Sequence, residues 1–153
     1  MDGPEGIIFM REAYAEALVA YRNGETPVGC VIERRGEIIA RAANARAAKK
    51  NALYHAELIA LNAACEYVGD WRLDECAMYV TVEPCPMCAG AIIQSRLPFV
   101  AYGAKNAKAG CAGSVLDLFA VPGFNHQPIV ARGLMEAECG ELMSMFFKGL
   151  RER

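Results

Sequence analysis

His55-Ala56-Glu57 places an imidazole and a carboxylate two positions apart, and residues two apart on a regular helix point to nearly opposite sides. Both can serve one site only where a helix begins, with His55 at or before its first helical residue. Pro84-Cys85-Pro86-Met87-Cys88 sets a matching condition. Pro86 can open a helix at its first turn, which leaves Cys85 at the start of that helix and carries Cys88 into it. Two positive helix ends then face one point, and that placement favours the thiolate forms of the cysteines. One imidazole and two thiolates suit Zn²⁺, and three protein ligands leave a fourth position for water, the catalytic rather than the structural pattern.

The rest of the chain supplies the layers that such helices need. Ile8, Ala15, Leu18 and Val19, interspersed with Arg11, Glu12 and Glu16, predict an amphipathic helix that packs on a sheet and stops near Asn23-Gly24. Residues 28–32 and 38–40 read as hairpin strands across an Arg35-Gly36 turn. From Tyr54, Leu58, Leu61, Cys65 and Val68 recur on one helical face up to Gly69. Strands follow at residues 78–82, 99–102 and 129–131, with a helix through residues 88–94 and a closing amphipathic helix over 136–150. Helices and strands alternate, so the fold class is α/β. Residues 103–113 form the longest stretch without a clear period, and loops of that length are often functional.

Length and composition narrow the setting. A chain of 153 residues matches a single domain, 1–153, on a prior of roughly 100 to 200 residues each. With 54% hydrophobic and 22% charged residues, it is too apolar to remain disordered. Sixteen basic against eighteen acidic residues give a net charge of −2, so a nucleic-acid partner would have to be met by a local basic patch. Arg34-Arg35, Lys49-Lys50, Lys105 with Lys108, and Lys148 with Arg151 and Arg153 are the candidates, each also readable as a solvated face. No apolar run is long enough to span a membrane, and the start at Met1-Asp2-Gly3-Pro4-Glu5 is acidic where a signal peptide would be basic. A cytoplasmic location is expected. Seven cysteines, an odd number in a chain able to fold without staples, point to free thiols or metal ligands.

Zn²⁺ with two thiolates and a neutral histidine carries little net charge, so it acidifies water less than an all-histidine site does. A nearby base is needed, and Glu57 can take a proton from water, hand it to a ring nitrogen during attack on an amidine carbon, and protonate departing ammonia. Other readings stand beside this one. Cys30, Cys65, Cys76, Cys111, Cys139 or His126 could complete a structural zinc site, and Cys85 with Cys88 could form a redox pair. His126 reads first as a hydrogen-bonded loop residue, Asn44 as a turn residue, and Phe146-Phe147 as core.

At these residues the sequence resembles the bacterial tRNA adenosine deaminases, which convert adenosine to inosine at the wobble position of an anticodon. The likeness runs from about Pro27 to Phe147. It covers Pro27-Val28-Gly29, Asn44, His55-Ala56-Glu57, the run from Thr81 to Gly90, the run from Gly103 to Lys108, Gly113-Ser114, Phe124-Asn125-His126 and Phe146-Phe147. The metal motif is common to the cytidine deaminase-like superfamily; the segment from Gly103 to Ser114 and the tail are more specific. The resemblance implies a three-layer α/β/α fold with a five-stranded mixed sheet and a homodimer with both sites near the interface. It implies one zinc per subunit on His55, Cys85 and Cys88, with Glu57 shuttling protons and no organic cofactor or membrane partner. Asn44 and the Ala56 amide would hydrogen-bond a flipped base, with Val28 and Phe147 lining or flanking its pocket. Lys105, Asn106 and Lys108 would meet the anticodon loop, and the basic end of the last helix the stem. Cys30, Tyr54 and Asn106 stand where the family more often has small residues and an aspartate. Tyr54 could narrow the pocket, Cys30 reads as a small buried hydrophobe, and Asn106 would soften discrimination against a deoxyribose. A free guanine or cytosine deaminase, which needs no RNA surface, is the alternative, and a zinc-bearing non-catalytic subunit is a further one.

Overall fold

The structure, a computed structural model, describes residues 4–152; the expectations placed on Met1, Asp2, Gly3 and Arg153 lie outside them. In chain order the chain forms α1 (Pro4–Arg22), β1 (Gly29–Arg34), β2 (Glu37–Ala43), α2 (Arg46–Lys49), α3 (Ala56–Val68) and β3 (Cys76–Val82). It continues with α4 (Pro86–Gln94), β4 (Phe99–Ala104), a 3-10 turn (Leu118–Ala120), β5 (Ile129–Arg132) and α5 (Glu136–Arg151). The strands make one five-stranded sheet in the order β2-β1-β3-β4-β5. β1 runs antiparallel to β2 and β3, whereas β3, β4 and β5 are parallel.

Side chains alternate across this sheet with the period of two that extended backbone imposes. Cys30, Ile32, Met78, Val80, Val100 and Tyr102 face α3 and α4. Val31, Ala77, Tyr79, Phe99 and Ala101 face the opposite side, where Met10 and Ala13 of α1 cover them. α5 packs against β4 and β3, and with Cys139 against Gly103 the layering is α/β/α. β3, the central strand, is buried along its whole length.

Local chemistry sets the joints. Arg35 and Gly36, with φ of 54° and 86°, turn the β1–β2 hairpin, and two consecutive positive φ values match the twist of the strands they join. At Gly29 a side chain has no room: a Cβ would lie 2.0 Å from the Ala13 carbonyl oxygen and 2.3 Å from the Ala17 nitrogen. α1 therefore rests its backbone directly on β1, and its buried alanines, Ala13 and Ala17, permit the approach. α3 stops at Gly69, φ 77°, whose N–H bonds the Cys65 carbonyl. Just beyond, exposed Trp71 lies under the guanidinium groups of Arg72 and Arg96, 5.2 and 5.7 Å from its ring centre.

Two expectations need correction, and two short elements were not anticipated. The deepest face of α3 is Ala56, Glu57, Ala60, Leu61 and Ala64, with Leu58, Cys65 and Val68 only partly buried beside it. Alanine is small enough to bring the helix close to the sheet, yet it carries little weight in an apolar pattern. Gly103 and Ala104 close β4, so the aperiodic stretch begins at Lys105. α2 and the 3-10 turn, of four and three residues, are too short to show a period.

Candidate metal centre and active site

The two helix starts required by the sequence are present. His55 precedes α3 in extended conformation (φ −78°, ψ 148°), and Cys85 precedes α4 in the same way (φ −75°, ψ 174°), with Pro86 opening the helix. His55 Nδ1 lies 3.6 Å from Cys85 Sγ and 3.6 Å from Cys88 Sγ. Tetrahedral zinc with ordinary Zn–N and Zn–S lengths would separate those atoms by about 3.6 Å. Donor type and spacing both fit the ion. Among the described residues, these three form a group whose ligand atoms all lie within 4.8 Å of one another.

The electrostatics suit the same purpose. Cys85 is held down to about 4, first because the Cys88 thiol donates to its sulfur, with His55 adding to the effect against burial. Cys88 is correspondingly pushed up by its bond to Cys85, by burial and by Glu57. Cys85 is thus the sulfur that ionises first, beside the imidazole. Glu57 is 4% exposed, and burial pushes its carboxyl up to about 7, in the range where a group can both take and return a proton.

A cavity of about 630 Å³ opens on this cluster. Val28, Asn44, His55, Ala56, Glu57, Cys85, Lys105, Asn106, Lys108 and Phe147 all line it, while Cys88 lies buried behind its wall. Asn44 follows β2 and is 8% exposed. Its Nδ2 donates to the Thr26 carbonyl at 3.3 Å, and its buried Oδ1 has no protein partner. An unpartnered buried oxygen of this kind calls for a donor. Ala56 is the first residue of α3, where the backbone N–H has no intrahelical acceptor.

The remaining residues meet expectation in part. The side-chain oxygen of Asn106 accepts the Ala109 N–H at 3.1 Å, which orients the amide within the loop and leaves its oxygen room for a second donor. Tyr54 is 37% exposed and is not part of the cavity wall; it does not narrow the pocket. Phe147 is exposed rather than core and forms part of that wall, while Phe146 packs edge-on against Tyr21. His126 donates to the Leu97 carbonyl, the loop role expected of it. Arg34 and Arg35 are paired with Glu75, at 3.5 and 2.7 Å. Cys30 is wholly buried.

Sequence reasoning missed Arg46 at the start of α2 and, on the cavity wall, Thr26, Met143 and Glu83. Glu83 is 1% exposed; burial raises its carboxyl, but hydrogen bonds from Ser114, Asn106 and Ala112 outweigh burial and hold it below the usual carboxylate range. Nothing in the local pattern marks it, because those partners lie 23 to 31 residues away.

A five-stranded mixed sheet that presents one imidazole and two thiols at the starts of two helices defines the cytidine deaminase-like class. The sequence profile of the MafB19-like deaminases matches residues 6–151. The tRNA-specific adenosine deaminase of Bacillus subtilis (strain 168) is 45% identical over 146 residues, covering 95% of this chain and 91% of its relative. A solved tRNA:A34 deaminase, described in work on A-to-I editing at the wobble position of transfer RNA, superposes with a TM-score of 0.84. It is 39% identical, over 88% of this chain and 97% of that one. A guanine deaminase from Bacillus subtilis is more distant, at TM-score 0.63 and 31% identity over 95% and 93% of the two chains. The chain belongs to the MafB19-like deaminase family and, within it, stands with the tRNA-specific adenosine deaminases.

Proposed function

We infer that this enzyme hydrolyses adenosine to inosine at the wobble position of a tRNA anticodon. The observation that carries the substrate class is the ring of cations around the catalytic cluster: Arg46, Lys105, Lys108 and Arg151 all line the cavity. A free nucleobase brings no phosphate to pair with them, whereas an unpaired loop does, and a base in such a loop is the cheapest to flip out.

His55 Nδ1, Cys85 and Cys88 are the residues that would hold Zn²⁺, which supplies a Lewis acid that lowers the pKa of water. Asn44 and the Ala56 N–H hold the polar edge of the adenosine, with Val28 and Phe147 against its faces. Glu57 accepts a proton from the attacking water, delivers it to a ring nitrogen as the C–O bond forms, then takes the remaining proton from the new hydroxyl and passes it to the amine as the C–N bond breaks. Water and adenosine are consumed; inosine and ammonia are released. Lys105, Asn106 and Lys108 face the anticodon loop and Arg151 the adjoining backbone.

The whole chain, 1–153, acts as one domain in the cytoplasm, and two copies form a homodimer. Light scattering reads that last point, and a monomer at working concentration would overturn it. The deciding assay compares inosine formation in an anticodon stem-loop with ammonia release from free adenosine, guanine and cytosine. Release from guanine or cytosine with an untouched stem-loop would move the chain to the free-base deaminases that the 31% identical guanine deaminase represents.

A further inference from the structure

Lys105 and Lys108 sit on a segment, residues 105–114, that contains no helix or strand of its own. Its shape has to come from elsewhere. The carboxylate of Glu83, directly after β3, accepts four hydrogen bonds from this segment. Oε1 takes the Asn106 N–H at 3.1 Å and the Ser114 hydroxyl. Oε2 takes the N–H groups of Ala112 at 2.9 Å and Ser114 at 3.1 Å. The flanking backbone joins in: the Glu83 N–H donates to the Ala104 carbonyl at 2.9 Å, and the Cys111 N–H to the Pro84 carbonyl at 2.9 Å. Gly110 passes so close that a Cβ would lie 2.4 Å from Glu83 Cδ. The segment is wrapped around one buried carboxylate, and each oxygen of that carboxylate already accepts two bonds. Little acceptor capacity is left for a substrate.

We propose that Glu83 is a positioning residue for substrate binding: it fixes the fold of residues 105–114 and through it the placement of Lys105 and Lys108 along the substrate backbone. This rests on the functional reading above. Glu83 acts on binding rather than on the reacting atoms, so its loss is read in KM more than in kcat.

Glu83→Gln swaps one acceptor oxygen for an amide that faces N–H donors, and Ser114→Ala removes one of the four bonds without touching the backbone. Both are compared with the wild-type zinc-loaded enzyme on an anticodon stem-loop. For Glu83→Gln, zinc stays at one per chain, KM rises about tenfold and kcat stays within about threefold. Ser114→Ala moves KM the same way by about threefold, a smaller loss for a single bond. The dependence of KM on salt flattens in Glu83→Gln, because lysines that leave the backbone no longer release counterions. Hydrogen exchange at Asn106, Ala112 and Ser114 quickens while the strands stay protected.

A fall in kcat at constant KM, or loss of zinc with activity, would overturn the proposal and make Glu83 part of the metal frame. Unchanged exchange at those amides would overturn it as well. If Glu83→Gln does not fold, Ser114→Ala decides. If the wild-type enzyme forms no inosine, the functional reading fails instead, and amide exchange still tests what Glu83 holds.

Discussion

Glu57 combines near-complete burial with a carboxyl pushed up to about 7, and it is not one of the three groups at ligand distance. Removing it should therefore separate chemistry from metal binding. Glu57→Ala keeps its zinc and its fold, and loses roughly 10² to 10⁴-fold in turnover, the contribution of a placed acid–base group. Metal analysis beside kcat checks this, and loss of zinc would recast Glu57 as structural. Asn44 carries a different load. Its Oδ1 has no protein partner, and if substrate supplies the bond, as proposed, Asn44→Ala costs about 1 to 3 kcal/mol in kcat/KM with zinc content unchanged. Equal specificity constants for the two proteins would remove Asn44 from the site.

At the scale of elements, Gly29 is a packing requirement set by α1 rather than a contact with substrate. Gly29→Ala forces helix and strand apart, and a cost of about 3 kcal/mol, the upper end of overpacking, is expected. Denaturant unfolding measures it; an unchanged midpoint would mean that α1 is not seated on β1 as described. Comparison with the sequence shows what kinds of element are legible. The starts of α3 and α4 could be read because a spacing of two between His55 and Glu57, and a proline after Cys85, leave few backbone solutions. The sheet could be read because its strands have clean apolar runs. The buried face of α3 was displaced because alanine packs far better than its hydropathy suggests, and α2 had no period to detect. Glu83 and Gly110 gain their meaning from each other, across 27 positions of chain, which no local window contains. Arg46 is an unremarkable arginine until α2 turns it to the cavity.

For the molecule as a whole, a metal held by His55, Cys85 and Cys88 would join parts of the chain that are otherwise held by different neighbours: His55 leads the helix packed on β1 and β2, while Cys85 and Cys88 belong to the β3–α4–β4 crossover. A ligand bound only by the folded state stabilises it by mass action. Chelation should lower the melting temperature and open Cys85, the low-pKa thiolate, to alkylation ahead of Cys30 and Cys139, which are buried and whose thiols burial pushes up. Mass spectrometry of labelled peptides checks it, and identical labelling before and after chelation would mean that Cys85 is not shielded by metal.

The end of α3 bears on how such changes can be watched. Trp71 is the single tryptophan of the chain, and it stands just past Gly69. The 13 residues of α3 place it about 20 Å along the helix axis from His55. Its emission is thus set by the two guanidinium groups over its ring and by the integrity of that remote corner. Tryptophan emission is expected to follow unfolding and to change little when a nucleotide fills the cavity, which makes a dye on the RNA the better reporter of binding.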